Sequence, residues 1–281
     1  MPEGDTIHRL AARLDGALTG HVLQSFYAPT LSGRSPRPGE TITAVEAAGK
    51  HLLIRFSGGL TLETHMRMTG TWSVRAPSAQ PARRAGPGIR VIIETDTAAA
   101  ICRNAPVVRT WRRPESIAHL GPDLCRDDAD LDEVVARMRR ADAATEIGVA
   151  LLDQSLASGI GNVYKSEVLH ARRVDPFRTL ATFHDEELRT IVGTAAELMR
   201  ANLGAGPRTT VPGGLAVYRR AGRGCPRCRA AIAMRRQGNP ARSTYFCPAC
   251  QPPYGGNNRR EARGSSPPAT RDRSEREANH G

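Results

Sequence analysis

Apolar positions recur at helical spacing near the start of the chain. Ile7, Leu10, Ala11, Leu14 and Leu18 share one face, so residues 2–18 are predicted as an amphipathic helix stopping at Gly20. The period then shortens. Strand-like runs are predicted at 22–28, 41–49, 51–57, 60–66, 71–75, 89–95 and 98–104, and Ser57-Gly58-Gly59 joins two of them as a hairpin. Residues 76–88 read as a Pro/Gly-rich loop. Many short strands after one helix predict a β-sandwich or barrel with the helix packed against it. From Leu131 the helical period returns, at 131–140, 146–157, 162–174 and 184–203. The chain therefore divides near residue 125 into a β-rich and an α-rich half, an α+β multidomain organisation. A Cys-rich module follows from about residue 215, then a polar tail expected to be disordered.

Composition adds a partner. The 281 residues carry a net charge of +12 and a pI of about 10.3. The tail holds six Arg against four acids, so most of the excess lies on the body, which favours a polyanion such as nucleic acid. No apolar run approaches 18 residues and no signal-peptide pattern opens the chain, which excludes a helical membrane protein and predicts a soluble, cytoplasmic one. In that compartment six cysteines are metal ligands or free thiols rather than disulfides.

CPRC (225–228) and CPAC (247–250) give C-x2-C-x18-C-x2-C, a zinc spacing. Cys225, Cys228, Cys247 and Cys250 would close a tetrahedral site with no open position, hence one structural zinc ion. Cys102 and Cys125 have no partners at metal spacing. The 18 residues between the pairs suit a hairpin that carries Arg235, Arg236 and Arg242 near Tyr245 and Phe246, as a nucleic-acid finger would. In LLDQSLASGIGNVYKSEVLHARRV a glycine turn, 158–161, separates two predicted helices, a helix-turn-helix layout. The N–H groups opening the second helix make an anion site suited to phosphate; Asn162 either caps that helix or points its amide at the phosphate, and Lys165 adds charge. Lys50 and Lys165 are the only lysines among 38 arginines. Met66 and Met68 suit a core; on a loop Met68 would be an apolar wedge between bases. At the start, loss of Met1 would leave Pro2 as a secondary amine able to attack a carbonyl carbon, with Glu3 beside it as acid or base; Pro2 also suits an ordinary helix start.

Together MPEGDTIHRLA, GKHLLIRF, LLDQSLASGIGNVYKSEVL and RSTYFCPACQ resemble, in order, the signatures of the formamidopyrimidine-DNA glycosylase and endonuclease VIII family, over roughly residues 2–251. The resemblance implies a bifunctional DNA glycosylase with AP-lyase activity, acting on damaged double-stranded DNA as a monomer in the nucleoid-associated cytoplasm. It implies a catalytic β-sandwich domain over 1–125, a helix–two-turn–helix DNA-binding domain over 126–214, a zinc finger over 215–252 and a tail over 253–281. Pro2 matches the nucleophile and Glu3 the acid/base. Lys50 and Asn162 match phosphate-holding positions, Met68 the void-filling wedge. Arg242 matches the finger arginine that clamps phosphate and supports lyase chemistry by β,δ-elimination. The Arg-Phe-Gly loop of the formamidopyrimidine branch is missing from RNAPVVRTW (103–111), so the chain looks closer to the endonuclease VIII branch and its oxidised pyrimidines, with Arg67 a candidate for opposite-strand contact. The alternative is a non-catalytic damaged-DNA-binding protein on the same fold.

Overall fold

In the computed structural model, which describes residues 2–77, 87–113 and 117–255, the chain opens with helix α1 (Gly4–Leu18). Ile7, Ala11, Leu14 and Leu18 are its buried stripe. Eight strands follow: β1 (Leu23–Tyr27), β2 (Ile42–Ala48), β3 (His51–Phe56), β4 (Thr61–His65), β5 (Thr71–Arg75), β6 (Ile89–Thr95), β7 (Ala99–Arg103) and β8 (Val107–Trp111). They form two antiparallel sheets, ordered β1-β6-β7-β5 and β2-β3-β4-β8. Leu52, Ile54, Leu62, Val91 and Ile93 meet the α1 stripe in one core, the apolar contact that holds helix and sandwich together. Most of the 76–88 loop lies outside the described residues, as do 256–281 of the tail.

Strand β8 was not among the predicted strands. It pairs with β4, with Arg109 opposite Glu63 and Trp111 opposite Thr61. A buried carboxylate supports the pairing. Glu63, fully buried, accepts from Arg109 Nε and Nη2 at 2.9 and 2.7 Å, Trp111 Nε1 at 2.8 Å and His51 Nδ1 at 2.8 Å. Val-Val-Arg-Thr-Trp has the β-branched and aromatic residues of a strand and is no less apolar than 71–75; what fixes it as one is its partner across the sheet.

The helical part comprises α2 (Leu131–Arg140), α3 (Ile147–Ala150), α4 (Asn162–Ala171) and α5 (Asp185–Arg200), around a second core that includes Tyr164, Val168, Leu188 and Met199. The helix expected over 146–157 is cut to one turn. Asp153 turns its carboxylate onto Ser155 N and Oγ at 2.9 and 2.7 Å, a local bond that competes with continued helix. α4 stops at Ala171 rather than 174 because Arg173 takes a left-handed φ of 55° and Val174 N closes onto Leu169 O at 2.9 Å, a C-terminal capping pattern. The finger is a hairpin of β9 (Ala233–Gln237) and β10 (Arg242–Phe246) beside the four cysteines. Among the described residues no helix is long and apolar enough to cross a membrane.

Candidate active site

Glu3 serves two helices at once. Its backbone, extended at φ −125°, is the N-cap of α1, and its carbonyl accepts from Thr6 N and Ile7 N. Its side chain crosses to the start of α4. There Gly161 N, Val163 N and Tyr164 N donate to the carboxylate at 3.0, 2.9 and 3.2 Å. The anion site at this helix N-terminus therefore exists, but it holds the protein's own carboxylate rather than phosphate. Glu3 is wholly buried. Burial pushes its carboxyl above the usual carboxylate range; Arg208, the N–H groups and Lys50 pull the other way without prevailing. A carboxyl so placed is poised to keep or deliver a proton.

Two glycines make this junction possible. A Cβ on Gly161 would lie 2.4 Å from the Glu3 carboxyl carbon. A Cβ on Gly4 would lie 2.9 Å from the Gly159 backbone, which already accepts from Gly4 N. Gly161→Ala is expected to displace the Glu3 carboxylate and lower the rate of the step Glu3 assists about 10²-fold, the effect of roughly ångström misplacement. Single-turnover rates set against circular dichroism would check it; a loss no larger than the loss of folded protein would reduce Gly161 to a folding role.

Pro2 is half-buried at the edge of this junction and lines an open recess of about 400 Å³ with Arg9, Arg13, Met66 and Trp72. Lys50, on the turn between β2 and β3, donates its Nζ to Ile160 O on the glycine turn. Burial lowers its ammonium to about 8; the Glu3 charge opposes this and Arg242 adds to it. Arg242 stands exposed at the start of β10. Glu3, Lys50 and Arg242 thus share one electrostatic neighbourhood although they come from three parts of the chain. Met66 is buried in the sandwich core, whereas Met68, 63% exposed, stands on the loop between β4 and β5 beside Arg67.

Asn162 does not cap α4. It is the first residue inside the helix, Gly161 is the N-cap, and Asn162 Oδ1 is buried without a hydrogen-bond partner. Lys165 also departs from expectation. It lies fully buried, donating to Thr244 Oγ1 at 2.7 Å and Ser243 O at 3.1 Å, so it fastens the finger hairpin to α4 instead of facing DNA. Burial brings it to about 8. Phe246 is likewise turned inward, edge-on to Phe177, with Arg235 stacked 4.1 Å from the same Phe177 ring.

Three groups escaped the sequence reading. Arg208 Nε donates to buried Asp5 at 2.8 Å, and its Cζ stands 4.9 Å from the Tyr164 ring. Asp123 accepts from Gly49 N at 2.7 Å, His8 Nε2 at 2.8 Å and Cys125 N at 3.0 Å, so it fixes the Lys50 turn against α1. Glu167 accepts from Ala216, Val217 and Tyr218 N at 2.7–2.9 Å. Apart from Cys125, two positions from Asp123, these partners lie roughly 40 to 200 positions apart, and nothing in local spacing could have paired them.

The four finger cysteines have their sulfurs within 4.8 Å of one another; Cys225–Cys250 and Cys228–Cys247 are 3.9 and 3.4 Å apart. All are free thiols, and these separations bracket the roughly 3.8 Å edge of a tetrahedron with Zn–S bonds of about 2.3 Å. The residues fit one metal ion. Cys102 and Cys125 are buried elsewhere.

A β-sandwich with a buried acid, a helical domain and a four-cysteine finger defines a class, and comparison with known proteins identifies it. The formamidopyrimidine-DNA glycosylase N-terminal domain matches residues 1–105, and the formamidopyrimidine-DNA glycosylase H2TH domain matches residues 120–211. A probable endonuclease 8 2 of Streptomyces coelicolor is 38% identical, covering 89% of this chain and 94% of that one. The DNA-(apurinic or apyrimidinic site) lyase Nei2 of Mycolicibacterium smegmatis is 34% identical, covering 89% and 99%. The crystal structure of a Lactococcus lactis formamidopyrimidine-DNA glycosylase, non-covalently bound to AP-site DNA, shares the fold with a TM-score of 0.72 at 20% identity, covering 89% and 100%. The chain belongs to the formamidopyrimidine-DNA glycosylase and endonuclease VIII family. Within it, the chain stands on the endonuclease VIII side: a formamidopyrimidine-DNA glycosylase of Pelotomaculum thermopropionicum is 31% identical, below both relatives above.

Proposed function

We propose that this bifunctional DNA glycosylase and AP lyase of base excision repair removes oxidised pyrimidines from duplex DNA through an iminium on Pro2. The observation that carries the reading is Glu3: a wholly buried carboxyl, raised in pKa, held by three N–H groups one residue from Pro2. A free α-amino group has a pKa near 8, so roughly a tenth is unprotonated at pH 7, against less than about a thousandth of an ordinary lysine. The Pro2 nitrogen forms a bond to C1′ while the glycosidic bond breaks and the base leaves with the electron pair. The base takes the Pro2 N–H proton as it departs, Glu3 protonates the ring oxygen as the sugar opens, and the nitrogen, with no proton left to lose, stays a charged iminium. The iminium acidifies the C2′ hydrogen; its removal expels the 3′ phosphate, and a second elimination expels the 5′ phosphate.

The target nucleotide leaves the stack to reach Pro2. Met68, exposed beside Arg67, takes the void it leaves. Lys50, Asn162 and Arg242 hold the backbone phosphates around it. Zinc, when bound by Cys225, Cys228, Cys247 and Cys250, holds the finger in shape and takes no part in the reaction. The protein acts as a monomer on the nucleoid DNA of the cytoplasm.

A panel of duplexes carrying one lesion each tests the substrate reading. Thymine glycol or dihydrouracil is expected to be excised at least about tenfold faster than 8-oxoguanine opposite cytosine, leaving phosphate at both ends of the gap. The reverse order would place the chain's activity with the formamidopyrimidine branch.

A further inference from the structure

Helix α4 ends at the metal site. His170, in its last turn, is 3% exposed and takes no part in the chemistry above. Its Nε2 lies 3.3 Å from Cys225 Sγ. Cys225 is itself fully buried, with its sulfur 3.9 Å from Cys250 Sγ. The CPRC knuckle grips the same turn from outside, since Arg227 Nη1 donates to His170 O at 3.0 Å.

A cysteine binds zinc as the thiolate, which has no proton to give. The proton of a His170–Cys225 bond must then belong to the imidazole, and a neutral imidazole carries only one. We propose that His170 is a positioning residue of the metal site, its Nε2–H donating to the Cys225 thiolate from outside the sulfur tetrahedron. The inference rests on the reading of the four cysteines as a zinc site. His170 is not a fifth ligand, because the four sulfurs already complete the set. Its bond withdraws charge from the buried Cys225 corner of a tetrathiolate and anchors the metal to the helix whose other end seats Glu3.

The tautomer is measurable in the unaltered protein. In the zinc-loaded full chain, long-range ¹H–¹⁵N spectra are expected to show His170 as the Nε2–H form; an Nδ1–H form would overturn the proposal. Chelator competition is expected to show zinc held about 10- to 100-fold less tightly by His170→Phe, with His170→Gln, which keeps a donor, recovering most of the loss. With cobalt in place of zinc, the thiolate-to-metal charge-transfer band should move to lower energy in His170→Phe and return in His170→Gln. Unchanged affinity and an unchanged band in His170→Phe would reject the role of His170 while leaving the metal site standing. A wild-type cobalt spectrum without tetrathiolate character would reject the metal site and the proposal together. Should His170→Phe fail to fold, the wild-type tautomer decides.

Discussion

Mixed with an AP-site duplex and borohydride, the untagged protein is expected to yield a covalent protein–DNA band, and blocking Pro2 is expected to abolish it. The reason is the specificity of the trap. Borohydride reduces an iminium to a stable amine, so only a chain whose amine has bonded to C1′ is caught. An extra residue before Pro2 turns its nitrogen into an amide with no free pair to give. Pro2→Gly leaves a primary α-amine, whose imine can lose its remaining N–H proton and its charge, so it should trap more slowly than the secondary amine. Glu3→Gln tests the neighbouring group. The three N–H donors reach both carboxylate oxygens, so an amide must turn its NH₂ toward at least one of them. That unpaired contact costs about 1–3 kcal/mol, and the lost proton donor costs base release about 10²- to 10⁴-fold. Mass spectrometry of the trapped species would locate the adduct. Tight DNA binding with no band, on protein whose N-terminus is shown by mass to be Pro2, would make the chain a damaged-DNA binder on this fold.

Cys247→Ser is expected to empty the metal site and unfold the finger without unfolding the rest. Cys247 is fully buried and supplies one of four sulfurs, and a hydroxyl cannot replace a thiolate toward zinc. Structural zinc contributes on the order of 10 kcal/mol or more to small fingers, so little of this hairpin should stay ordered without it. The two larger cores share no residue with the finger cluster, which is why they should survive. DNA affinity is expected to fall about 100-fold, because Arg242 and its neighbours lose their platform and several phosphate contacts go together. Base release should fall further than affinity alone explains. Lys165, Ser166 and Glu167 of α4 are all bonded to finger-side backbone or side chains, and the same helix presents the N–H groups that hold Glu3. Zinc analysis, amide hydrogen exchange over 215–252 and titration with AP-analogue DNA would check the three parts. DNA affinity unchanged after zinc removal would end the finger's role in binding.

Local chemistry made much of this legible. The α1 stripe, the change from period two to period 3.6 after residue 125 and the doubled Cys-x2-Cys spacing each follow from short-range rules, and the helix, the sandwich and the four-cysteine hairpin are all present. The same rules overran α3 because Asp153 folds back on Ser155, and passed over β8 because its support is Glu63, well back in the sequence on β4.

The division between Lys50 and Lys165 is more instructive. As residues they are alike, each a lone lysine in an arginine-rich chain, and both were expected at the DNA. Packing separated them: Lys50 reaches the glycine turn beside Glu3, while Lys165 is sealed under the finger by Thr244 and Ser243. Asn162 was open to capping or to phosphate by sequence, and only the fold shows its Oδ1 unpartnered inside the helix start. What the sequence by itself determined was most of the element types and the four cysteines that cluster in the finger, because these depend on side-chain identity and on spacings of a few positions. What only the tertiary structure decided was the state of those residues. The N–H groups that hold Glu3 lie about 160 positions away, the Arg208 that bonds Asp5 about 200, and burial by such distant partners sets whether a carboxyl keeps its proton or a lysine meets a phosphate.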